Sequence, residues 1–163
     1  MGVGVTACCK KFASWNGYTE AKKDGRVQKY IITPYNKRTG RHLNCRTVAW
    51  CQIAAIEAQL QSSSVKRCYI TSGCKQSKAW YVKNKRWKGR GTKPVVGWQV
   101  FYSWPNKKGK RSSVPSHTGI IYGIKGAYMY VREGNMGKVG RVGGRKIKYN
   151  SADVNGFGVP YYK

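Results

Sequence analysis

A cysteine nucleophile needs a histidine to take its proton, and this chain offers six cysteines against only two histidines. Cys51 stands out, in the stretch "TVAWCQIAAIEAQL" (47–60). Val48, Cys51, Ile53, Ala54, Ile56 and Leu60 recur near helical spacing there, which predicts a helix of roughly 12–14 residues with one buried face. Asn44 or Thr47 can cap that helix and so place the thiol in its first turn. Backbone N–H groups and the positive end of the helix dipole would then favour the thiolate. The competing reading is a buried packing cysteine, the common fate of a lone thiol.

Of the two histidines, His42 sits in the loop "KRTGRHLN" (37–44) and reads as a surface residue. His117 opens the apolar segment "HTGIIYGIKG" (117–126), where an imidazole at a strand end can take a proton from a thiol on a packed helix. A base of this kind needs an acceptor to orient it. Glu133, one strand later in "VREGN", is the candidate, with Asn135 beside it to assist the polar network. The alternative for Glu133 is a surface charge paired with one of many cations, which would contribute little.

The elements that must position these groups divide the chain in two. The first half reads as helical: 6–18, closed by Asn16-Gly17; a short helix in "GRVQKYIITPYN" (25–36), ending before Pro34; 47–60; and a short helix or extended arm at 77–87. The second half, at 95–104, 117–126, 127–135 and 138–149, is rich in β-branched and aromatic residues punctuated by glycine, as in a small antiparallel sheet. "GFGVPYY" (156–162) reads as a final edge strand tolerating Pro160, and "SWPNKKGKRSSVPS" (103–116) as a basic surface loop. Helices first and strands after is an α+β pattern, here in one domain spanning 1–163 without repeat or linker.

Composition narrows the partners. With 32 Lys+Arg against 5 Asp+Glu, the formal charge is +27, and such a surface clings to polyanions: nucleic acid, anionic lipid or anionic wall polymers. The five acids, Glu20, Asp24, Glu57, Glu133 and Asp153, are scattered, so no calcium loop is expected. No C-x₂-C pair has a partner pair, so neither a zinc site nor any other cofactor is expected. Among the cysteines, a bridge between the neighbours Cys8 and Cys9 would be strained. Cys68 could pair with Cys74, leaving Cys45 and Cys51. No segment reaches the roughly 18 apolar residues of a membrane span, and no signal-peptide core is visible.

Several words resemble, in order, the cysteine, histidine-dependent amidohydrolase/peptidase (CHAP) domains of phage endolysins and bacterial wall hydrolases. "ASWNGYTEA" is similar to the family's N-terminal helix ending in G-Y-x-E, and "YIITPYN" to its next tyrosine–asparagine segment. "AWCQIAA" stands where the family has A-W-C-x-x-F. "KPVVGWQVFYSW" matches P-x-x-G-D-I-I-F-F-x-W, and "SHTGIIYGIKGAYMYVREGN" matches H-V-G-I-V followed by E-G-N. "VNGFGVPYY" is similar to the closing G-Y-G-x-P-Y. The resemblance covers nearly the whole chain. It implies a papain-like α+β fold, with N-terminal helices packed on a small antiparallel sheet. It also implies Cys51 as nucleophile, His117 as general base then acid, Glu133 as orienting acid and Asn135 as its assistant. Trp50 and Trp104 are expected as packing walls. The implied activity is peptidoglycan hydrolysis at an amide bond by a monomer acting at the bacterial wall, where the basic surface binds peptidoglycan and its anionic polymers.

Three positions depart from the family: Trp98 and Ser116 replace aspartates, and Ala54 replaces phenylalanine. Loss of acids amid so many cations predicts a downward shift of the His117 pKa. A second function class also fits the composition, a catalytically idle polyanion binder. It would grip phosphates and stack bases through "KAWYVKNKRWKGRGTK" (78–93), although such a run is equally a solvated face. Membrane disruption ranks last for want of a strongly amphipathic helix.

Overall fold

The computed structural model describes residues 1–163 and shows a mixed α+β architecture with antiparallel sheets. Its helices are α1 (Val3–Ala13), α2 (Thr33–Thr39), α3 (Cys51–Gln61) and α4 (Cys74–Lys83). The strands are β1 (Val65–Arg67), β2 (Trp87–Gly89), β3 (Gln99–Tyr102), β4 (His117–Lys125), β5 (Tyr128–Met136), β6 (Arg141–Lys148), β7 (Val154–Gly158) and β8 (Tyr161–Tyr162). No helix is long and apolar enough to cross a membrane.

Helix α3 is the centre of the packing. Every residue from Cys51 to Gln59 is buried, so the helix is enclosed all round and not along one face as its spacing predicts. Glu57 tolerates this position because Nε of Arg38 donates to it at 3.0 Å and Gln61 at 2.8 Å. Helix α1 packs alongside through Gly4, Cys8 and Phe12, one residue per turn. Cys8 and Phe12 join Trp15, Val27, Ile31, Ile32, Trp50 and Ile53 in the largest apolar cluster.

Six strands form one sheet in the order β2-β7-β3-β4-β5-β6. Strand β7 is therefore interior, paired to both β2 and β3, whereas 156–162 reads from sequence as one edge strand. Pro160 interrupts it, and the chain beyond pairs with β1 in a separate two-stranded sheet. Alternation along the strands gives the main sheet two apolar faces. Val100, Tyr102, Ile121, Met129, Val131 and Phe157 make a second cluster, distinct from the one around α3.

Other boundaries move for local reasons. Helix α1 starts at Val3 and ends at Ala13, before the turn that carries Gly17. The segment at 25–36 continues through Pro34 to Thr39, because a wide helical turn at Gln28–Ile32 leads directly into α2 and Pro34 falls in the first turn of α2. Residues 77–87 resolve into α4 followed by the short strand β2.

Candidate functional site: a thiol, an imidazole and a carboxylate

Cys51 is the first residue of α3, as its helix-head placement requires, but the caps differ from expectation. Trp50 occupies the N-cap position and makes no side-chain cap bond. Asn44 instead accepts from the backbone N–H of Arg46, and the Thr47 hydroxyl donates to the Asn44 carbonyl. Trp50 is anchored by Glu20, whose carboxylate accepts the indole N–H at 2.9 Å and the N–H of Gly140 at 3.0 Å. Glu20 therefore ties the residue before the nucleophile candidate to the turn between β5 and β6. Close approach of α3 to β5 depends on Gly134, where a Cβ would lie 2.7 Å from the Ala54 Cβ and from the Trp50 ring.

His117 opens β4 and pairs directly across from Tyr102 on β3. Its ring lies 5.8 Å from the Tyr102 ring and 6.0 Å from the Trp104 ring. Nε2 sits 2.8 Å from Oε1 of Glu133. Glu133 is fully buried, so it is no surface charge. Its carboxylate also accepts from the Tyr102 hydroxyl at 2.9 Å, and from Nε of Arg145 at 3.0 and 2.9 Å on its two oxygens. The carboxylate passes beside Gly119, where a Cβ would come within 2.6 Å of the Glu133 Cγ. With Nε2 committed to Glu133, Nδ1 is the ring nitrogen left for the thiol.

Each group perturbs the next. The Cys51 thiol is held well below the ordinary thiol range, chiefly by a hydrogen bond from the Cys74 thiol. Burial opposes this, while His117 and the backbone N–H of Gln52 favour the thiolate. Cys74 is driven the other way, by its bond to Cys51 and by burial, so it remains a neutral donor. For His117 the largest influence is burial, which disfavours the cation. Hydrogen bonding to Cys51 and Glu133 outweighs it and raises the pKa to about 9. This reverses the downward shift expected from lost acids: the Cys51 thiolate and then the buried Glu133 carboxylate act on the ring at short range, where surface cations are screened by water. Burial raises the Glu133 pKa, but His117 and Arg145 together hold it below its usual value. The arrangement favours a thiolate–imidazolium pair backed by a carboxylate.

Asn135 lies at a bulge in β5, in the left-handed region at φ 56°, and lines the depression around His117. The side chains holding Glu133 are His117, Tyr102 and Arg145, with Asn135 not among them. Of the three positions that differ from the resembled motifs, Ala54 is buried in α3, and neither Trp98 nor Ser116 bonds to Glu133 through its side chain. Trp98 packs on Phe157, and exposed Ser116 bonds through its backbone to Tyr102. His42 is exposed, as its loop suggests.

Sequence reasoning missed four members of the site. Cys74 heads α4 with Sγ 3.9 Å from that of Cys51, not paired with Cys68; all six cysteines are free thiols. Arg145 carries no mark among 32 cations. Tyr102 hides within an apolar strand, and the anchoring role of Glu20 needs the β5–β6 turn to be visible. Trp104 is a wall, stacked on Tyr102 at 4.8 Å and covered by the Arg145 guanidinium at 5.0 Å.

Beside His117 lies a depression of about 280 Å³ lined by Trp104, Asn135, Met136, Gly137 and Arg145. A second, of about 450 Å³, shares Trp104 and follows the basic loop past Lys110 and Arg111. It shares Val114 with a third, of about 350 Å³, bordered by Lys75, Lys78 and Lys83. The shared residues link the three depressions in series. Comparison of the chain with protein-family models, curated proteins and solved structures finds no match.

Proposed function

We propose that this chain is a CHAP-like, papain-type cysteine hydrolase that cleaves an amide bond of bacterial peptidoglycan. The observation that carries the reading is a carboxylate, Glu133, 2.8 Å from the His117 imidazole, which in turn acts on the Cys51 thiol, the three lying 66 and 16 residues apart along the chain. Supporting it are the ordered sequence words above, the depressed thiol and the raised imidazole.

The chemistry follows from the geometry. The Cys51 thiolate attacks the amide carbonyl, and the oxyanion forms next to the backbone N–H of Cys51, which as the first helical residue has no acceptor within the helix. His117 gives its proton to the leaving amine, and the thioester remains on Cys51. Neutral His117 then takes a proton from water, whose oxygen attacks the thioester and frees the enzyme. Glu133 holds the ring and stabilises its cation throughout, while Arg145 and Tyr102 hold Glu133. Linked depressions suit an extended polymer, and Lys75, Lys78, Lys83 and Lys110 lining them suit an anionic one.

The rival class, an idle polyanion binder that stacks bases along 78–93, has less support. Arg67 and Arg86 already lie over the Tyr161 ring beside Trp80, and Lys78 lies over Trp87, so these aromatics are engaged within the protein. Mass spectrometry of muropeptides released from purified peptidoglycan by the wild type and by Cys51→Ala separates the classes and identifies the bond. New termini should appear with the wild type alone. Undiminished lysis by Cys51→Ala would remove the hydrolase reading.

A further inference from the structure

Cys74 is the residue nearest in kind to the nucleophile that catalysis does not consume. It and Cys51 each begin a helix, and their sulfurs lie 3.9 Å apart against Tyr81 and Phe101. Closing a disulfide, with its ~2.05 Å bond, asks the sulfurs to approach by about 2 Å. Cys74 can supply that movement because α4 is entered through an irregular segment, 68–73, in which Tyr69 and Ile70 are exposed. None of the other four thiols matches Cys51 as the one to meet an oxidant. Burial raises the pKa of Cys8, to about 12, and those of Cys9, Cys45 and Cys68.

From this pairing we infer that Cys51 and Cys74 form a redox modification site, in which a hydroperoxide oxidises Cys51 and Cys74 resolves the product to a reversible disulfide. The Cys51 thiolate attacks the terminal oxygen of the hydroperoxide, the O–O bond breaks, and the leaving alkoxide or hydroxide takes the His117 proton. Cys51 is then a sulfenic acid. Cys74 sulfur attacks the Cys51 sulfur, the S–O bond breaks, and hydroxide departs as water with the Cys74 proton. Two thiols have lost two electrons, and the peroxide has become an alcohol (or water) plus water. The disulfide occupies the nucleophile and shields it from sulfinic acid, and a thiol reductant releases it. As regulation, this rests on Cys51 being the hydrolytic nucleophile; as chemistry, it does not.

The test treats the reduced full-length protein with hydrogen peroxide and maps its proteolytic peptides by mass spectrometry. A peptide containing Cys51 should be found joined to one containing Cys74. Alkylation of Cys51 by iodoacetamide should be lost and then restored by dithiothreitol, with peptidoglycan lysis following both changes. In Cys74→Ser, peroxide should carry Cys51 to sulfinic acid, beyond rescue. Wild-type Cys51 going to sulfinic acid, or joining a different cysteine, overturns the inference, and this wild-type readout stands even if the variant fails to fold. A Cys51–Cys74 bridge in a protein that lyses nothing in either state would leave the redox site standing and remove the hydrolase reading.

Discussion

Nε2 of His117 lies 2.8 Å from Oε1 of Glu133, in a carboxylate that Arg145 grips through both oxygens and Tyr102 through one. That contact fixes which ring nitrogen turns to the thiol. It also couples three ionisations, so pH is the most direct probe of the site.

Raised to about 9, the His117 pKa lies above that of Cys51, which is lowered. The thiolate–imidazolium pair therefore forms as pH rises through the Cys51 value and is lost as it passes about 9, where the imidazolium gives up its proton. Lysis should follow a bell with its basic limb near that pH. Iodoacetamide should label Cys51 at pH 6, where ordinary thiols are almost wholly protonated. Labelling at pH 6 no faster than that of a free cysteine would contradict the coupling.

Cys74 is the main cause of the lowered Cys51 pKa. Cys74→Ala should move the midpoint of Cys51 alkylation to higher pH. Each unit of that shift would slow labelling at acidic pH by about tenfold. Cys74→Ser, which keeps a donor, should recover part of the loss. The check is the alkylation rate against pH for the three proteins, and identical midpoints would sink the claim.

Arg145→Ala removes a charged hydrogen bond from a buried carboxylate. A bond of that kind contributes about 1.5–3 kcal/mol, so kcat for lysis should fall roughly 10- to 100-fold. Glu133→Gln should go further and lower the His117 pKa, because the carboxylate favours the imidazolium. The basic limb of the pH profile then shifts to lower pH, measurable by NMR titration of the ring.

Gly134→Ala places a methyl 2.7 Å from the Ala54 Cβ and from the Trp50 ring. Overpacking of this kind costs about 1–3 kcal/mol, with Tm falling about 2–4 °C per kcal/mol at this size. Calorimetry reads the shift. An unchanged Tm would mean that α3 does not seat against β5 as described.

Salt separates the surface from the site. At a net charge of +27, binding to an anionic wall should weaken as the Debye length falls from ~10 Å at 0.1 M to ~3 Å at 1 M. Lysis should decline across that range while alkylation of Cys51, a buried residue paired inside the protein, holds steady. Parallel loss of both would place the salt effect in the site itself.

The sequence by itself determined the α+β division, a helix with Cys51 in its first turn and the strands opening at His117 and carrying Glu133, because periodicity and residue type are local properties. It also determined the candidates Cys51, His117 and Glu133, since two histidines and five acids leave few choices. Only the tertiary structure decided that Cys74 lies against Cys51 and not Cys68, that Arg145 and Tyr102 hold Glu133, and that β7 runs inside the sheet. Each depends on segments far apart in the chain, and local patterns carry no information about which of many equivalent cysteines, cations or tyrosines a fold brings together. The direction of the His117 pKa shift was decided the same way: total charge argued for lowering, but the Cys51 thiolate and the Glu133 carboxylate, brought to the ring by the fold, raise it.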